Sequence, residues 1–420
     1  MTNSTQLPAP TPMAGQDQPV DWMFAYKFNA ASFPGCSANC MIPLSGTPGI
    51  FGGVVDDYPN GHSQQYVFAS SATPTLVQGN ECLGATLVDP LGATFAQIYN
   101  NPGYYYVLWN DQFYNDPIPM GDSPWGHSKG MAAWNDDGEG FVLQVSTPSW
   151  PGSGSCAHPR KAGNTLGCIS DDDDIEFAQH FFALKINRDD LAAVLDAIGN
   201  ASVCTKITEP QLVHNGGPSD LQDAVNRLGQ LSTSTELTMV TLSSGVQLIS
   251  KPSLLAVPPW QMVSAKLNGL DLRVASWWDK PEIYSTEAGV VPQCWAAGLG
   301  TPGAVEIATT GVWQGVTLGL KGNEEQQSNH AKIGISRDPS TPLCIFGDMN
   351  QQGALAPGYA YKGQMCNSSQ NGRGGVFFVL NNQELFQGLT QLLTGETAPD
   401  SAPADRLPAS PPQVRMAQAE

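Results

Sequence analysis

Trp125-Gly126-His127-Ser128-Lys129-Gly130-Met131 is the stretch on which the fold prediction depends. The chain carries a second unit like it, Asn329-His330-Ala331-Lys332-Ile333, roughly half a chain length further on. Side chains alternate along a strand, so a histidine and a lysine two positions apart point to one face. Each unit pairs an imidazole that can attack or donate a proton with a cation that can hold an anionic oxygen. The two units together predict that two halves of the chain meet at one anionic substrate. Such an arrangement suits a phosphodiester.

The surroundings of the two units are also similar. Both follow polar or turn residues, both run into apolar residues, and each has an amide or acid, Asn135 or Asp338, six positions after its lysine. A single His-x-Lys is usually an accident of a polar strand. Two of the chain's six histidines in this arrangement indicate a repeated motif.

Composition limits the class of protein. A chain of 420 residues can bury one large core or two ordinary ones, and 44 Gly with 33 Pro predict many turns and little long helix. The net charge of −19 argues against a surface that coats nucleic acid. It leaves a nuclease open, because such an enzyme needs only a few local cations.

Cysteines, acids and the amino terminus give no sign of a metal or a membrane. The nine cysteines form no zinc quartet, and Cys36 and Cys40 suggest a small disulfide or free thiols. The acidic run at 171–174 lacks the glycine and spaced ligands of a calcium loop. Residues 1–18 contain no ordinary secretory signal, which leaves a cytoplasmic location or non-classical export as the expectation.

Strands are predicted where aromatic and β-branched residues cluster, at residues 21–28, 104–109, 141–146, 237–242, 246–249, 260–265, 344–346 and 376–380. Asp136-Asp137-Gly138 has the composition of a hairpin turn. One amphipathic helix is expected from Asp189 to Gly199, and another from Asn381 or Asn382 to Gly395.

Four of the six histidines lie outside the repeated motif, and three of them can be interpreted from their surroundings. His158 lies with Arg160 and Lys161 in a Pro/Gly/Ser-rich loop at 149–168, which is either solvated or a basic rim for phosphates. His180 and His214 have no partner in the sequence, so both are interpreted as ordinary surface or core histidines.

Eight patches of sequence, in order, resemble the deoxyribonuclease II family within the phospholipase D-like superfamily. They are residues 18–22 (Gln-Pro-Val-Asp-Trp) with 26–27, 109–112 (Trp-Asn-Asp-Gln), 126–130 (Gly-His-Ser-Lys-Gly), 140–146, 163–168 (Gly-Asn-Thr-Leu-Gly-Cys), 330–332 (His-Ala-Lys), 347–350 (Gly-Asp-Met-Asn) and 373–375 (Arg-Gly-Gly). The resemblance covers about residues 18 to 393. The absence of a visible leader, and of the family's cysteine beside the first patch, suggests a bacterial member.

The resemblance implies an α/β fold of two pseudo-symmetric halves, each a mixed sheet flanked by helices, sharing one central active site. The corresponding domain expectation is a disordered segment at 1–18, an amino-terminal half at 19–210, a carboxy-terminal half at 211–395 and a disordered tail at 396–420. It further implies DNA as the substrate and no cofactor, metal or membrane. Whether the chain is a monomer or a homodimer stays open.

The resemblance also assigns roles to residues. His127 is expected to attack phosphorus and form a phosphohistidine, while His330 protonates the departing oxygen and later activates water. Lys129 and Lys332 are expected to hold the non-bridging oxygens. Asn350 is expected to contact a phosphate oxygen or orient an imidazole, and Asp348 is the alternative for orientation. The products would be 3′-phosphate and 5′-hydroxyl ends, formed without a metal and fastest at acidic pH.

Two other functions fit the same residues. One is a phospholipase D-like phosphodiesterase acting on a lipid or another substrate, although the sequence has no obvious lipid-binding apolar stretch. The other is a DNA-binding protein that keeps the fold without catalysis, which the two intact His-x-Lys units disfavour.

The chain also departs from the family where Asn135 stands in place of the usual acid and Ser149 in place of an asparagine.

Overall fold

The computed structural model describes eleven stretches of the chain. They are residues 7–35, 65–80, 83–84, 88–99, 101–113, 121–148, 150, 176–210, 212–323, 325–358 and 365–401. The loop at 149–168, apart from Trp150, and the acidic run at 171–174 lie outside the described residues, as do Cys36 and Cys40.

Strands make up most of the regular structure. In chain order they are β1 (Trp22–Lys27), β2 (Tyr66–Ser70), β3 (Val77–Gln78), β4 (Tyr105–Asn110), β5 (Lys129–Trp134), β6 (Gly140–Val145), β7 (Gln179–Ile186), β8 (Val213–His214), β9 (Thr238–Thr241), β10 (Gln247–Lys251), β11 (Leu272–Ala275), β12 (Val305–Ile307), β13 (Thr310–Trp313), β14 (Val316–Gly319), β15 (Ile333–Ser336), β16 (Leu343–Gly347) and β17 (Gly375–Asn381). Among the described residues the α-helices are α1 (Pro90–Tyr99), α2 (Arg188–Asn200), α3 (Ser219–Val225), α4 (Pro259–Lys266) and α5 (Gln383–Leu392).

Two large sheets organise these strands. The first has eight strands in the order β3-β2-β1-β7-β6-β5-β4-β8, and the second has seven in the order β12-β11-β15-β16-β17-β10-β9. The pairs of the first sheet are antiparallel, and one parallel pair, β11 with β12, makes the second sheet mixed. The α/β fold class expected from the sequence is confirmed, although the first sheet is antiparallel and not mixed.

The core lies where the two sheets face each other. Phe346 of β16 stacks on Phe24 of β1 at 4.9 Å between ring centroids and on Phe182 of β7 at 4.3 Å. Phe182 also meets Phe378 of β17. Because these rings come from both sheets, one hydrophobic cluster is continuous across the interface. Offset aromatic contacts of this kind add to the free energy gained from burial.

Local signals explain several elements. The hairpin predicted at Asp136–Gly138 joins β5 to β6, and Gly138 takes a φ of +81°, which favours glycine. The side-chain oxygen of Asn135 accepts from the N–H groups of Asp137 and Glu139, so this asparagine stabilises the turn.

The two predicted helices follow β7 and β17 and start in the same way. Asn187 caps α2 by accepting from the N–H of Asp190, and Asn382 caps α5 by accepting from the N–H of Leu385. Both helices bury the apolar face expected from the sequence. These two helix predictions are confirmed.

The strand predicted at residues 260–265 is wrong, because this segment is helix α4. The sequence contains the signal for it. Pro258 and Pro259 precede the aromatic residue, and a proline at the first helical position is preset for a helix and has no N–H to leave unpaired. All but the last residue of α4 are buried, so no polar face revealed its period.

Contacts tie residues near both ends of the described chain to the fold. The N–H of Thr11 donates to the side chain of Gln97 in α1, and Met13 bridges to Pro19, within the segment expected to be disordered at 1–18. Thr397 and Asp400 form bridges within the tail expected at 396–420. Strand β8 pairs with β4, so the first sheet continues beyond residue 210.

Two cysteines are paired and two are buried as thiols among the described residues. Cys294 and Cys366 form a disulfide, whereas Cys204 and Cys344 are free. No described helix is long and apolar enough to cross a bilayer.

Candidate active site

Both His-x-Lys units open onto one cavity of about 470 Å³. Its lining includes the predicted residues His127, His330, Lys332 and Asn350. Four residues that the sequence did not single out complete it, namely Gln112, Glu176, Phe177 and Trp277. The fold therefore brings together two histidines separated by roughly half the chain.

The backbone explains this convergence. The N–H of His127 donates to the carbonyl of Gly374 at 2.8 Å, and the N–H of His330 donates to the carbonyl of Ala178 at 2.7 Å. Gly374 immediately precedes β17 of the second sheet, and Ala178 immediately precedes β7 of the first. Each histidine is thus anchored to the strand entrance of the opposite sheet. These anchors fix both catalytic candidates relative to the interface between the sheets.

His127 is held in one tautomer. Its Nδ1 lies 2.7 Å from the main-chain carbonyl of Asp348. A carbonyl oxygen only accepts, so Nδ1 must carry the proton and the neutral ring keeps its lone pair on Nε2. Burial, together with the Lys129 cation, holds the pKa of His127 well below its usual range. The ring is therefore neutral near pH 7 and presents a nucleophilic nitrogen.

His330 is held by packing instead. Trp277 meets its ring edge-on at 4.2 Å between centroids, and Phe177 lies at 5.1 Å. Its Nδ1 is buried and has no hydrogen-bond partner among the described residues. Burial, followed by the charge of Lys332, holds the pKa of His330 well below its usual range.

Lys129 belongs to a buried ionic cluster. Its ammonium lies 2.6 Å from one oxygen of Asp111, and the guanidinium of Arg373 lies 2.8 Å from the other oxygen. Burial alone would raise the pKa of Asp111, but Lys129 and Arg373 outweigh it and hold that pKa well below its usual range. Two cations share one carboxylate, so the cluster keeps a net positive charge beside His127.

Arg373 also fixes the loop that leads into His127. Its guanidinium donates to the carbonyls of Trp125 and Gly126 at 3.0 and 3.1 Å, and to the carbonyl of Gly121. The residue stands just before β17, so a side chain from the second sheet organises the entrance to β5 of the first. In the sequence Arg373 stands out only as the first residue of the Arg-Gly-Gly patch at 373–375.

Lys332 is buried at the cavity wall. Its ammonium donates to the carbonyl of His330, and burial lowers its pKa well below the usual range. Its main-chain N–H donates to Nδ1 of His180 at 3.1 Å. His180 is therefore a core histidine, as expected, but it also supports the second His-x-Lys unit.

Asp348 accepts several hydrogen bonds between the sheets. Its carboxylate accepts from the amide of Gln144 at 3.0 Å, from the N–H of Val376 at 2.8 Å and from the hydroxyl of Ser128. Burial raises the pKa of Asp348 to about 7 against the effect of these donors. The contact between Asp348 and the ring of His127 runs through the main-chain carbonyl of Asp348 and not through its carboxylate.

Asn350 lines the cavity, and a hydrogen bond to Gln352 fixes its side-chain amide. Its Nδ2 donates to the side-chain oxygen of Gln352 at 2.8 Å, and its Oδ1 is buried without a partner among the described residues. Within the same described part of the chain, no three His, Cys, Asp or Glu side chains form a group able to hold a metal ion.

Sequence reasoning missed Asp111, Arg373, Phe177 and Trp277. Asp111 follows β4 directly in the Trp-Asn-Asp-Gln patch, and a charged residue at a strand end was the available signal. No local sequence pattern distinguishes Phe177 and Trp277 from ordinary core aromatic residues. Asn135, noted as a departure, stabilises the hairpin turn and does not line the cavity.

Comparison with known proteins identifies the class to which this fold and site belong. The sequence pattern of the family described as deoxyribonuclease II matches residues 55–395. The chain therefore belongs to the deoxyribonuclease II family, and it is a nuclease with DNA as its substrate.

A relative with a related name extends the comparison. The protein called cell-death-related nuclease 7, from Caenorhabditis elegans, is 21% identical over 381 residues, which cover 88% of this chain and 82% of that protein. The family assignment favours a nuclease over the alternatives of a lipid phosphodiesterase and a non-catalytic DNA-binding protein.

Proposed function

We propose that this chain cleaves DNA without a metal ion, through a covalent phosphohistidine, and that it works fastest at acidic pH. The observation that carries the proposal is the pair of histidines on one cavity, one with a fixed lone pair and the other packed beside a buried lysine. Two imidazoles in series can divide one hydrolysis into two displacement steps.

In the first step Nε2 of His127 attacks phosphorus. The bond from phosphorus to the 5′ oxygen breaks, and that oxygen takes a proton from the imidazolium of His330 and leaves as a hydroxyl. The carbonyl of Asp348 supports His127 as the nucleophile, because it holds the Nδ1 proton while positive charge develops on the ring. His330 has no such acceptor among the described residues, which supports the opposite role for it.

Buried cations support the charge that accumulates on the phosphoryl oxygens. Lys332 lines the cavity, and Lys129 lies behind His127 in the cluster with Asp111 and Arg373. Removing one preorganised charge of this kind typically lowers turnover by about 10²-fold to 10³-fold. Lys332 is therefore the closer candidate for direct contact, whereas Lys129 acts from a shared ionic cluster.

In the second step water attacks the phosphohistidine. His330, now neutral, takes one proton of the water, the bond from phosphorus to Nε2 breaks, and His127 leaves as the free imidazole. The products are a 5′-hydroxyl and a 3′-phosphate that keeps the second proton of the water. His330 is again an imidazolium and His127 is again neutral, so the cycle is closed.

The acidic optimum follows from the acid role of His330. Its pKa in the folded chain lies below the ordinary histidine value of about 6.5, so the protonated fraction needed for the first step grows as the pH falls below neutrality. At still lower pH His127 also becomes protonated and loses its lone pair. A rate maximum near pH 5 is expected between the two limits.

The proposal includes two pseudo-symmetric halves, and the strand orders support it. The sequence β5-β6-β7-β1 in the first sheet has the counterpart β15-β16-β17-β10 in the second. In both sheets the His-x-Lys unit leads into the first of these strands, and an asparagine-capped helix follows the third. The reciprocal backbone anchors of His127 and His330 fit the same relation.

A plasmid nicking assay in excess EDTA tests the proposed function. Wild-type protein is expected to convert supercoiled DNA to open circles in chelator, while His127→Ala and His330→Ala are inactive because both groups act on one bond. His214→Ala serves as a matched control, since this histidine lies on β8 and does not line the cavity. Loss of wild-type activity in EDTA with recovery in magnesium would refute the metal-free mechanism.

A further inference from the structure

The amide of Asn350 has an orientation that the structure determines through a relay of hydrogen bonds. The carbonyl of Lys280 can only accept, so the group of Gln352 that lies 3.0 Å from it is the donating Nε2. The oxygen of Gln352 then points to Asn350, and only Nδ2 of Asn350 can donate to it at 2.8 Å. Oδ1 is the atom left facing away from this relay.

That oxygen needs a donor. Oδ1 of Asn350 is buried and without a partner among the described residues, and Asn350 lines the cavity with both histidines. An unpaired buried acceptor costs about 1–3 kcal/mol, so the site gains when a donor enters. A phosphodiester has only acceptor oxygens and cannot fill this role.

We propose that Oδ1 of Asn350 accepts a hydrogen bond from the water that hydrolyses the phosphohistidine. Gln352 is the positioning residue, because its hydrogen bond holds the Asn350 amide in this orientation. The inference rests on the proposed function. The attacking water has two protons: one passes to His330, and the other donates to Asn350. Its lone pair is thereby directed at phosphorus, and the bond from phosphorus to Nε2 of His127 breaks.

This role differs from the one expected for Asn350 at the outset. The sequence suggested that its amide contacts a phosphate oxygen or orients an imidazole, but the donor of the amide is engaged with Gln352. Glu176 and Gln112 also line the cavity and carry acceptor oxygens. Removing the acceptor of each residue separately distinguishes these candidates for holding the water from Asn350.

The experiment measures how much enzyme is covalently linked to DNA during turnover. Labelled DNA is mixed with full-length protein, the reaction is quenched in alkaline denaturant, and the linked fraction is read on a denaturing gel. Gln352→Met removes the relay with little change in side-chain volume, and Asn350→Ala removes the acceptor itself. Gln351→Met is the matched control, because this buried neighbour bonds to Gln261 and does not line the cavity.

Gln352→Met and Asn350→Ala are expected to slow the second step by up to about 10²-fold, the effect of misplacing a reacting group. The first step continues, so the linked fraction rises above that of wild type, whereas Gln351→Met matches wild type. A loss of turnover without a rise in linked enzyme would overturn the inference, as would accumulation only in Glu176→Met or Gln112→Met, which remove the acceptor oxygens of the other two candidates. Cleavage by wild type with no linked enzyme in any variant would overturn the phosphohistidine as well.

Discussion

Arg373→Met tests whether the buried ionic cluster sustains both the fold and the site. The substitution leaves Asp111, whose side chain is fully buried, paired with Lys129 alone. Removing one partner from a buried ion pair typically destabilises a protein by about 3–5 kcal/mol. The carbonyls of Trp125 and Gly126 also lose a donor, which adds about 1 kcal/mol or more for each one that water does not reach. The expected loss is on the order of 5 kcal/mol.

Chemical denaturation of wild type, Arg373→Met, Asp111→Asn and the double variant measures this coupling. The double variant is expected to be more stable than the sum of the single effects, because Asp111→Asn removes the carboxylate that would otherwise be left partly uncompensated. Arg188→Met is a suitable control, since its ion pair with Asp220 is exposed and worth little. A loss below about 1 kcal/mol in Arg373→Met, or purely additive effects, would refute the reasoning.

Three further predictions concern pH and the disulfide. Lys27→Met removes a buried cation that lowers the pKa of His330, so the alkaline limb of the nicking rate is expected to move to higher pH; an unchanged limb would contradict this. Asp348 has a pKa of about 7 in the folded chain, so the folded state binds its proton more tightly and stability declines as pH rises from about 4 to 7. At about 1.4 kcal/mol per pH unit the decline amounts to roughly 4 kcal/mol, and Asp348→Asn should remove it in denaturation measured at both pH values. Cys294→Ala opens a disulfide loop of 72 residues and should lower stability by about 4 kcal/mol, whereas equal stability with and without reductant would oppose this estimate.

The local features of this fold could be predicted because their causes are local. The turn at Asp136–Gly138 and the caps at Asn187 and Asn382 depend on residues within a few positions. Helix α4 escaped prediction because a helix buried on nearly every side shows no alternation between polar and apolar faces.

The residues of the site likewise fall into those that the sequence reveals locally and those that only the fold brings together. Two like units in the sequence sufficed to single out His127 and His330, and the fold brings both to one cavity. The partner of Arg373 could not be found in this way, because Asp111 lies 262 positions away and no pattern links the two. The same holds for Trp277, whose contact with His330 exists only after the sheets have packed. Long-range pairing is the part of this site that the sequence does not encode locally.

Identification of the histidine that becomes linked to DNA tests the mechanism most directly. Enzyme is quenched in alkali during cleavage of labelled DNA in EDTA, digested, and the labelled peptide is located by mass spectrometry. The mechanism predicts the phosphoryl group on Nε2 of His127, because the carbonyl of Asp348 holds the proton on Nδ1. A label on His330, or cleavage in EDTA that passes through no linked histidine, would contradict it.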